Sequence, residues 1–362
     1  MRVLICPDKF AGTLTAVEAA TAIATGWTQV RPGDQLVSAP LADGGEGTVA
    51  VVAHAVPDAL AHEIEVADAR GVATTATWLS LPDGRALVEV AQACGLSALP
   101  DDARDPLRTT TYGVGQLLRA VLDTKPSEVV VGLGGSATVD GGAGMVSFLT
   151  GHGLRRADGN AVKVGGRWVA EVVSARPLAE PALPPVVIAS DVANPLLGPD
   201  GAAAVFGPQK GAGPQAVAEL EAALGGFADV VERALAGGPW RDRPGAGAAG
   251  GLGFALMAFT GAQMSSGARV VTELIGLDAH GADVLITGEG SLDRQTLAGK
   301  GPAEARRQGA AAGARTIALA GRIEPEAAAV FDIAESLGPD GMTRPHETLA
   351  AAAARAAHRL IG

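Results

Sequence analysis

Aromatic residues are scarce in this 362-residue chain: one Tyr, seven Phe and four Trp, 3% in all. Its core must therefore be aliphatic, and hydrophobic residues do make up 48% of the chain. Cysteine is scarcer still. Cys6 and Cys94 make no disulfide framework in a chain this long, and both read as reduced, buried thiols. Basic charge is also short, with 28 Lys and Arg against 39 Asp and Glu, a net charge of −11. With no basic tract or basic-aromatic stripe, nucleic acid and anionic membrane are excluded as main partners. Long hydrophobic runs are missing as well. Val3 to Cys6 stops at Pro7, short of the roughly 7–15 apolar residues of a signal segment. Gly245 to Ala268 is uncharged, but its apolar part is only Leu252 to Phe259, where a span needs about 20 residues. The expectation is a soluble, cytoplasmic chain of about two domains.

Familiar motifs are absent too. Gly299-Lys300 has Arg294 where a Walker A sequence needs its leading glycine. Gly245-x-Gly247-x-x-Gly250 follows Trp240 to Pro244, not a strand. Gly132-x-Gly134-x-x-Ala137 does follow a strand, but Gly141, Gly142 and Gly144 open a dinucleotide helix poorly and no acidic ribose partner is evident. The six histidines are scattered, no Cys/His pair has zinc spacing, and no Gly-x-Ser-x-Gly elbow occurs, so zinc and covalent hydrolase chemistry have no support.

What the chain has in excess is glycine: 50 residues, about twice the ordinary share. They show no period of three, which excludes collagen, and 19% charged residues beside 48% hydrophobic exclude disorder. Many fall in five loops: Asp43 to Thr48, Gly132 to Met145, Gly207 to Gly211, Pro244 to Gly253, and Thr287 to Asp293 with Lys300 beyond it. Each sits near carboxylates, hydroxyls or a lysine. Glycine lets backbone N–H groups converge on an anion, and carboxylates in such loops suit Mg²⁺, which bridges phosphates. Each loop alone reads equally well as a tight turn. Together, after predicted strands, they favour a phosphorylated ligand.

The pattern of elements is βα at both ends: strands over Arg2–Cys6, Gln35–Leu41, Ala282–Thr287 and Thr316–Ala320, and helices over Thr15–Gln29, Val49–His54, Ala303–Ala312 and Leu349–Leu360. Thr15 is placed to cap its helix. The middle reads differently, with an antiparallel meander over His62–Ala67, Ala73–Ser80 and Ala86–Val90, a helix over Thr111–Leu122, and strands over Glu128–Val131 and Val186–Ala189. Pro177 to Pro185 reads as a surface connection. The predicted fold class is α/β: a doubly wound parallel-sheet domain, Rossmann-like or flavodoxin-like, from residues 1–61 and 265–362, with an inserted mixed α/β domain over 62–264 and the active site in the cleft between them.

In order along the chain stand Pro7-Asp8-Lys9-Phe10, Ala42-Asp43-Gly-Gly-Glu46-Gly-Thr48, Arg104-Asp105-Pro106, Gly132 to Met145, Ser190-Asp191-Val-Ala-Asn194-Pro195-Leu196, Phe206 to Gly211, Pro244 to Gly253 and Thr287-Gly-Glu289-Gly. From residue 1 to about 325 this resembles the bacterial glycerate kinase family, which phosphorylates D-glycerate with ATP. Beyond 325 agreement is weak and the C-terminal helix stays unassigned. Ala11 stands where the family usually has lysine, with Lys9 two residues earlier, and Tyr112 where some members have Arg.

The resemblance implies ATP-dependent phosphorylation of D-glycerate on its 2-hydroxyl, giving 2-phosphoglycerate and ADP, with Mg²⁺. Alternatives are a 3-phosphoglycerate product and a catalytically silent small-acid-binding regulator on the same scaffold. On the first reading Gly134, Gly135, Ser136 and Thr138 cradle the ATP phosphates, with Gly288 and Gly290 also on the nucleotide. Asp191 or Asp43 takes the proton from the hydroxyl, and the other joins Glu289 on the metal. Lys210 and Lys300 offset phosphoryl charge or anchor the glycerate carboxylate, while Asp8, Lys9, Arg104 and Asn194 face the substrate. With so few rings, adenine is expected to rest on aliphatic side chains and backbone. Monomer and homodimer both stay open.

Overall fold

The computed structural model describes residues 1–178, 183–297 and 301–360. Its strands in chain order are β1 (Arg2–Pro7), β2 (Gln35–Ser38), β3 (Leu60–Ala67), β4 (Ala73–Ser80), β5 (Ala86–Glu89), β6 (Val129–Gly132), β7 (Val186–Ala189), β8 (Gln263–Ser265), β9 (Val284–Leu292), β10 (Arg315–Ile323) and β11 (Ile333–Ser336). Two compact units result. One comprises Met1–Asp43, Ala50–Pro57 and Ser266–Gly362, and the other Gly44–Val49 and Asp58–Ser265.

The first unit holds a parallel sheet in the order β11-β10-β9-β1-β2. Val3, Ile5 and Cys6 on β1 are wholly buried, as a continuous apolar run requires when both faces of a parallel sheet are covered. Helix Ala16–Val30 starts with a capping box, in which Thr15 Oγ1 accepts from Glu18 N and Thr15 N donates to the Glu18 carboxylate. Its buried Ile23 and Trp27 share one face. Against this helix packs Pro345–Arg359, whose inner face is Leu349 and four fully buried alanines, Ala352, Ala353, Ala356 and Ala357. A Cβ at Gly26 would lie 1.9 Å from the Ala350 carbonyl oxygen. Small residues thus let two helices approach closely, which is how a core with few rings still fills its volume.

The second unit holds a six-stranded mixed sheet in the order β3-β4-β5-β6-β7-β8. β3, β4 and β5 pair antiparallel, and β5 through β8 pair parallel. The class is therefore the expected one, with a parallel sheet from both termini and a mixed sheet inserted.

The three-stranded antiparallel meander is where it was expected, and the connection from β5 to β6 passes through helix Tyr112–Asp123 and so returns parallel. Several details differ from the sequence reading. β2 ends at Ser38, not Leu41. The 21-residue helix Pro214–Ala234 and β11 are additional elements. Thr287 to Leu292 is no loop: β9 runs on through it, paired with β10 as far as Leu292↔Ile323. Part of the expected Pro177 to Pro185 connection, residues 179–182, lies outside the described residues. Both cysteines are buried and free, as expected, and among the described residues no helix is long and apolar enough to cross a membrane.

Candidate active site

In open α/β sheets ligands bind beyond the carboxyl ends of parallel strands, and each unit places candidates there. In the first unit Asp8 directly follows β1, and its N–H donates to the Gly288 carbonyl on β9 at 2.8 Å. β9 continues with Glu289, while the Leu41 N–H, two residues before Asp43, donates to the Pro7 carbonyl at 2.8 Å. Register thus gathers three carboxylates at one sheet end. Asp8 is 8% exposed. Burial first, then the Asp43 charge, lifts its carboxyl to about 7, against the Lys9 N–H and ammonium, with Glu289 adding to the rise. The Lys9 N–H donates to Asp8 Oδ1 at 2.6 Å. Such crowded acids suit an incoming cation, which would remove their mutual repulsion.

Gly288 is buried within β9, where a Cβ would meet the Leu319 carbonyl oxygen at 2.3 Å, and Gly290 lies half-buried on the same strand. Asp293 caps the short helix Arg294–Leu297, accepting from Thr296 N at 3.1 Å. Lys300 lies outside the described residues.

The second unit carries the long glycine loop after β6. The ends of β5, β6 and β7 are in register, with Glu89 beside Gly132 and Gly132 beside Ala189. The Gly134 N–H donates to the Gly44 carbonyl at 3.2 Å. A Cβ on Gly134 would fall 2.4 Å from Gly45 Cα, so glycine here is required by two loops in backbone contact. Gly135 is exposed on the loop, whereas Ser136 and Thr138 are buried. Lys210, 3% exposed, donates to Ser136 Oγ at 3.0 Å and to the Thr138 carbonyl at 2.8 Å.

Asp191 follows β7 and is exposed. Asn194 Nδ2 donates to the Asp200 carbonyl at 2.8 Å, closing the local turn. Arg104 pairs with Asp101 at 2.8 Å, and its buried Nε makes no hydrogen bond among the described residues. Of the expected residues, then, Asp8, Lys9, Asp43, Glu289, Gly288 and Gly290 belong to the first unit. Gly134, Gly135, Ser136, Thr138, Arg104, Asp191, Asn194 and Lys210 belong to the second.

Two acidic residues have structural work that sequence reasoning missed. Asp140 is fully buried. Its Oδ2 accepts from Thr111 N at 2.8 Å, Thr111 Oγ1 at 2.9 Å and Gly144 N at 3.2 Å, and its Oδ1 from Gly142 N at 3.0 Å. Burial raises its carboxyl, and these donors oppose the rise. Glu89, 1% exposed, accepts from Gly47 N at 3.2 Å and Val49 N at 3.0 Å, so it holds the Gly44 to Val49 loop. The available signals were a lone acid ending an apolar strand and three consecutive threonines, Thr109 to Thr111, ahead of a helix.

Among the described residues no three His, Cys, Asp or Glu side chains converge closely enough to hold a metal ion unaided. A pair of carboxylates remains compatible with Mg²⁺, which keeps waters and takes phosphate oxygens.

Comparison with known proteins places this geometry in context. The model of the glycerate kinase family matches residues 3–360, so the match extends through the C-terminal helix, beyond the limit near 325 read from the motifs. A glycerate 2-kinase of Escherichia coli K12 is 43% identical over 309 residues, 83% of this chain and 80% of that protein. A glycerate kinase of Haemophilus influenzae is 41% identical over 92% of this chain and 89% of its own. A crystal structure of a candidate glycerate kinase 2 from Salmonella typhimurium LT2 superposes with a TM-score of 0.84 at 36% identity, covering 100% of this chain and 98% of that one.

Proposed function

The chain belongs to the glycerate kinase family and is thereby a phosphotransferase using ATP, and we propose that it phosphorylates D-glycerate on the 2-hydroxyl, giving 2-phosphoglycerate and ADP. The regiochemistry leans on the relative named a glycerate 2-kinase. The observation that carries the reading of the site is the carboxylate group of Asp8, Asp43 and Glu289 at one sheet end, in which Asp8 is lifted to about 7 by burial and its neighbours.

Phosphoryl transfer asks a protein for positioning and charge neutralisation more than for covalent chemistry. Asp43 and Glu289 are the residues that would hold Mg²⁺, whose chemistry there is to neutralise charge on the phosphate oxygens. Asp191, exposed beyond β7, takes the proton of the glycerate hydroxyl as general base. Lys9 and Arg104 supply positive charge for the glycerate carboxylate. The exposed backbone at Gly135 offers the nucleotide a surface with no side chain in the way, while half-buried Gly134 seats the loop against Gly44 and Gly45. Lys300 follows the same anionic logic as Lys9. Monomer and homodimer both accommodate this chemistry.

Phosphorus NMR of a reaction containing D-glycerate, ATP and Mg²⁺ tests the proposal. The expected result is ADP with the resonance of 2-phosphoglycerate. A 3-phospho product overturns the regiochemistry, and no turnover by folded protein overturns the kinase reading in favour of a silent binder.

A further inference from the structure

Lys210 is an expected catalytic cation, yet its surroundings are those of an internal tie. The side chain is 3% exposed, and Nζ donates to Ser136 Oγ and the Thr138 carbonyl, at 3.0 and 2.8 Å. It comes from the short helix Pro208–Lys210, so it holds the glycine loop from one side. The other side is held by the threonine run: Thr109 Oγ1 donates to the Ala137 carbonyl at 2.9 Å, and Met145 N donates to Thr111 Oγ1 at 3.0 Å. Asp140, within the same loop, accepts from the N–H groups of Thr111, Gly142 and Gly144. Among the described residues, every hydrogen bond of Lys210 Nζ therefore ends on Ser136 or Thr138. To reach a phosphate it would have to abandon both.

We infer that Lys210 is a positioning residue: Nζ holds Ser136 to Thr138 in the shape that receives the nucleotide and touches neither phosphate nor glycerate. This rests on the kinase reading above. Charge is not what the tie requires. Even a neutral amine would keep two protons for its two acceptors, although burial, which draws Lys210 down to about 8 against the opposing charge of Asp140, leaves it mostly protonated at neutral pH.

The experiment uses the full chain and three proteins: wild type, Lys210→Met and Thr109→Val. ADP binding is measured by calorimetry with Mg²⁺ present, and steady-state kinetics are measured with each substrate varied. Lys210→Met is expected to weaken ADP binding and raise the KM for ATP by about tenfold, the scale of a lost buried hydrogen bond. The KM for D-glycerate should stay within about twofold and kcat should change far less than the KM for ATP. Thr109→Val, which loosens the loop from the opposite side, should shift ADP binding the same way by a smaller factor. A collapse of kcat in Lys210→Met with ADP affinity unchanged would overturn the inference, because it places the cation on the transferring phosphoryl group. Unchanged kinetics and affinity in a folded Lys210→Met would also overturn it, leaving a purely structural lysine. If Lys210→Met fails to fold, Thr109→Val decides, and unchanged ADP affinity there overturns the inference. Failure of the kinase reading would appear separately, as wild-type protein that binds no ADP.

Discussion

Asp8 and Asp140 are both buried carboxylates in stretches that follow a parallel strand, Asp8 directly after β1 and Asp140 within the long glycine loop after β6, yet the two regions use them in opposite ways. Asp140 receives hydrogen bonds from Thr111, Gly142 and Gly144, so its charge is met inside the fold and it ties a loop together. Asp8 receives the Lys9 N–H, and burial with the like charges of Asp43 and Glu289 lifts it to about 7 against the pull of the Lys9 N–H and ammonium. Identical chemistry thus divides by its donors: a carboxylate met by N–H groups is structure, and one met by other carboxylates is a place for a cation. Lys210 extends the contrast, since its amine is engaged by Ser136 and Thr138 of the glycine loop and so positions that loop.

Substitutions can break or sharpen this contrast. The largest effect is expected for Asp191→Asn, which removes the general base and should lower kcat by roughly 10²–10⁴ in the folded protein. A kcat near wild type would move the base elsewhere. Next, Gly134→Ala places a methyl 2.4 Å from Gly45 Cα. It should cost about 1–3 kcal/mol in urea unfolding through overpacking and raise the KM for ATP. Asp140→Asn turns an amide group toward N–H donors and should cost about 2 kcal/mol, again read by urea unfolding.

A further effect concerns pH. The folded-state carboxyl of Asp8 is raised from its ordinary 3.8 to about 7. Its contribution to stability is therefore fully present below about 4, where both states are protonated. It is lost as pH rises to about 7, because the unfolded chain releases the proton more readily. In the absence of divalent cations, wild type should lose stability relative to Asp8→Asn across that window. Thermal unfolding at pH 4, 5.5 and 7 checks the sign, and a gap that narrows with pH would contradict it.

Much of the fold was legible in the sequence because its signals are local. The uninterrupted Val3 to Cys6 run announces a strand covered on both faces, and Thr15 with Glu18 announces a helix start. The extension of β9 through Gly288 and Gly290 was not legible, since glycine there signals a turn and only pairing with β10 makes it a strand. The candidate site divides in the same way. Glycine loops mark where backbone comes close, but Gly26 against Ala350 and Gly134 against Gly45 show that a close neighbour is often the protein itself. The roles of Asp140, Glu89 and Lys210 depend on partners 29 to 74 residues away, which no local pattern encodes. The shortage of aromatic residues finds its counterpart in the alanine face of Pro345–Arg359, where close helix approach replaces bulk.

The most direct test of the division between cation-binding and structural carboxylates is the Mg²⁺ concentration that gives half-maximal rate, compared among wild type, Asp43→Asn and Asp140→Asn. The account predicts that Asp43→Asn raises it by about tenfold or more, as expected when one of two carboxylate ligands is lost, while Asp140→Asn leaves it unchanged in the folded protein. A raised Mg²⁺ requirement in Asp140→Asn with none in Asp43→Asn would contradict the account.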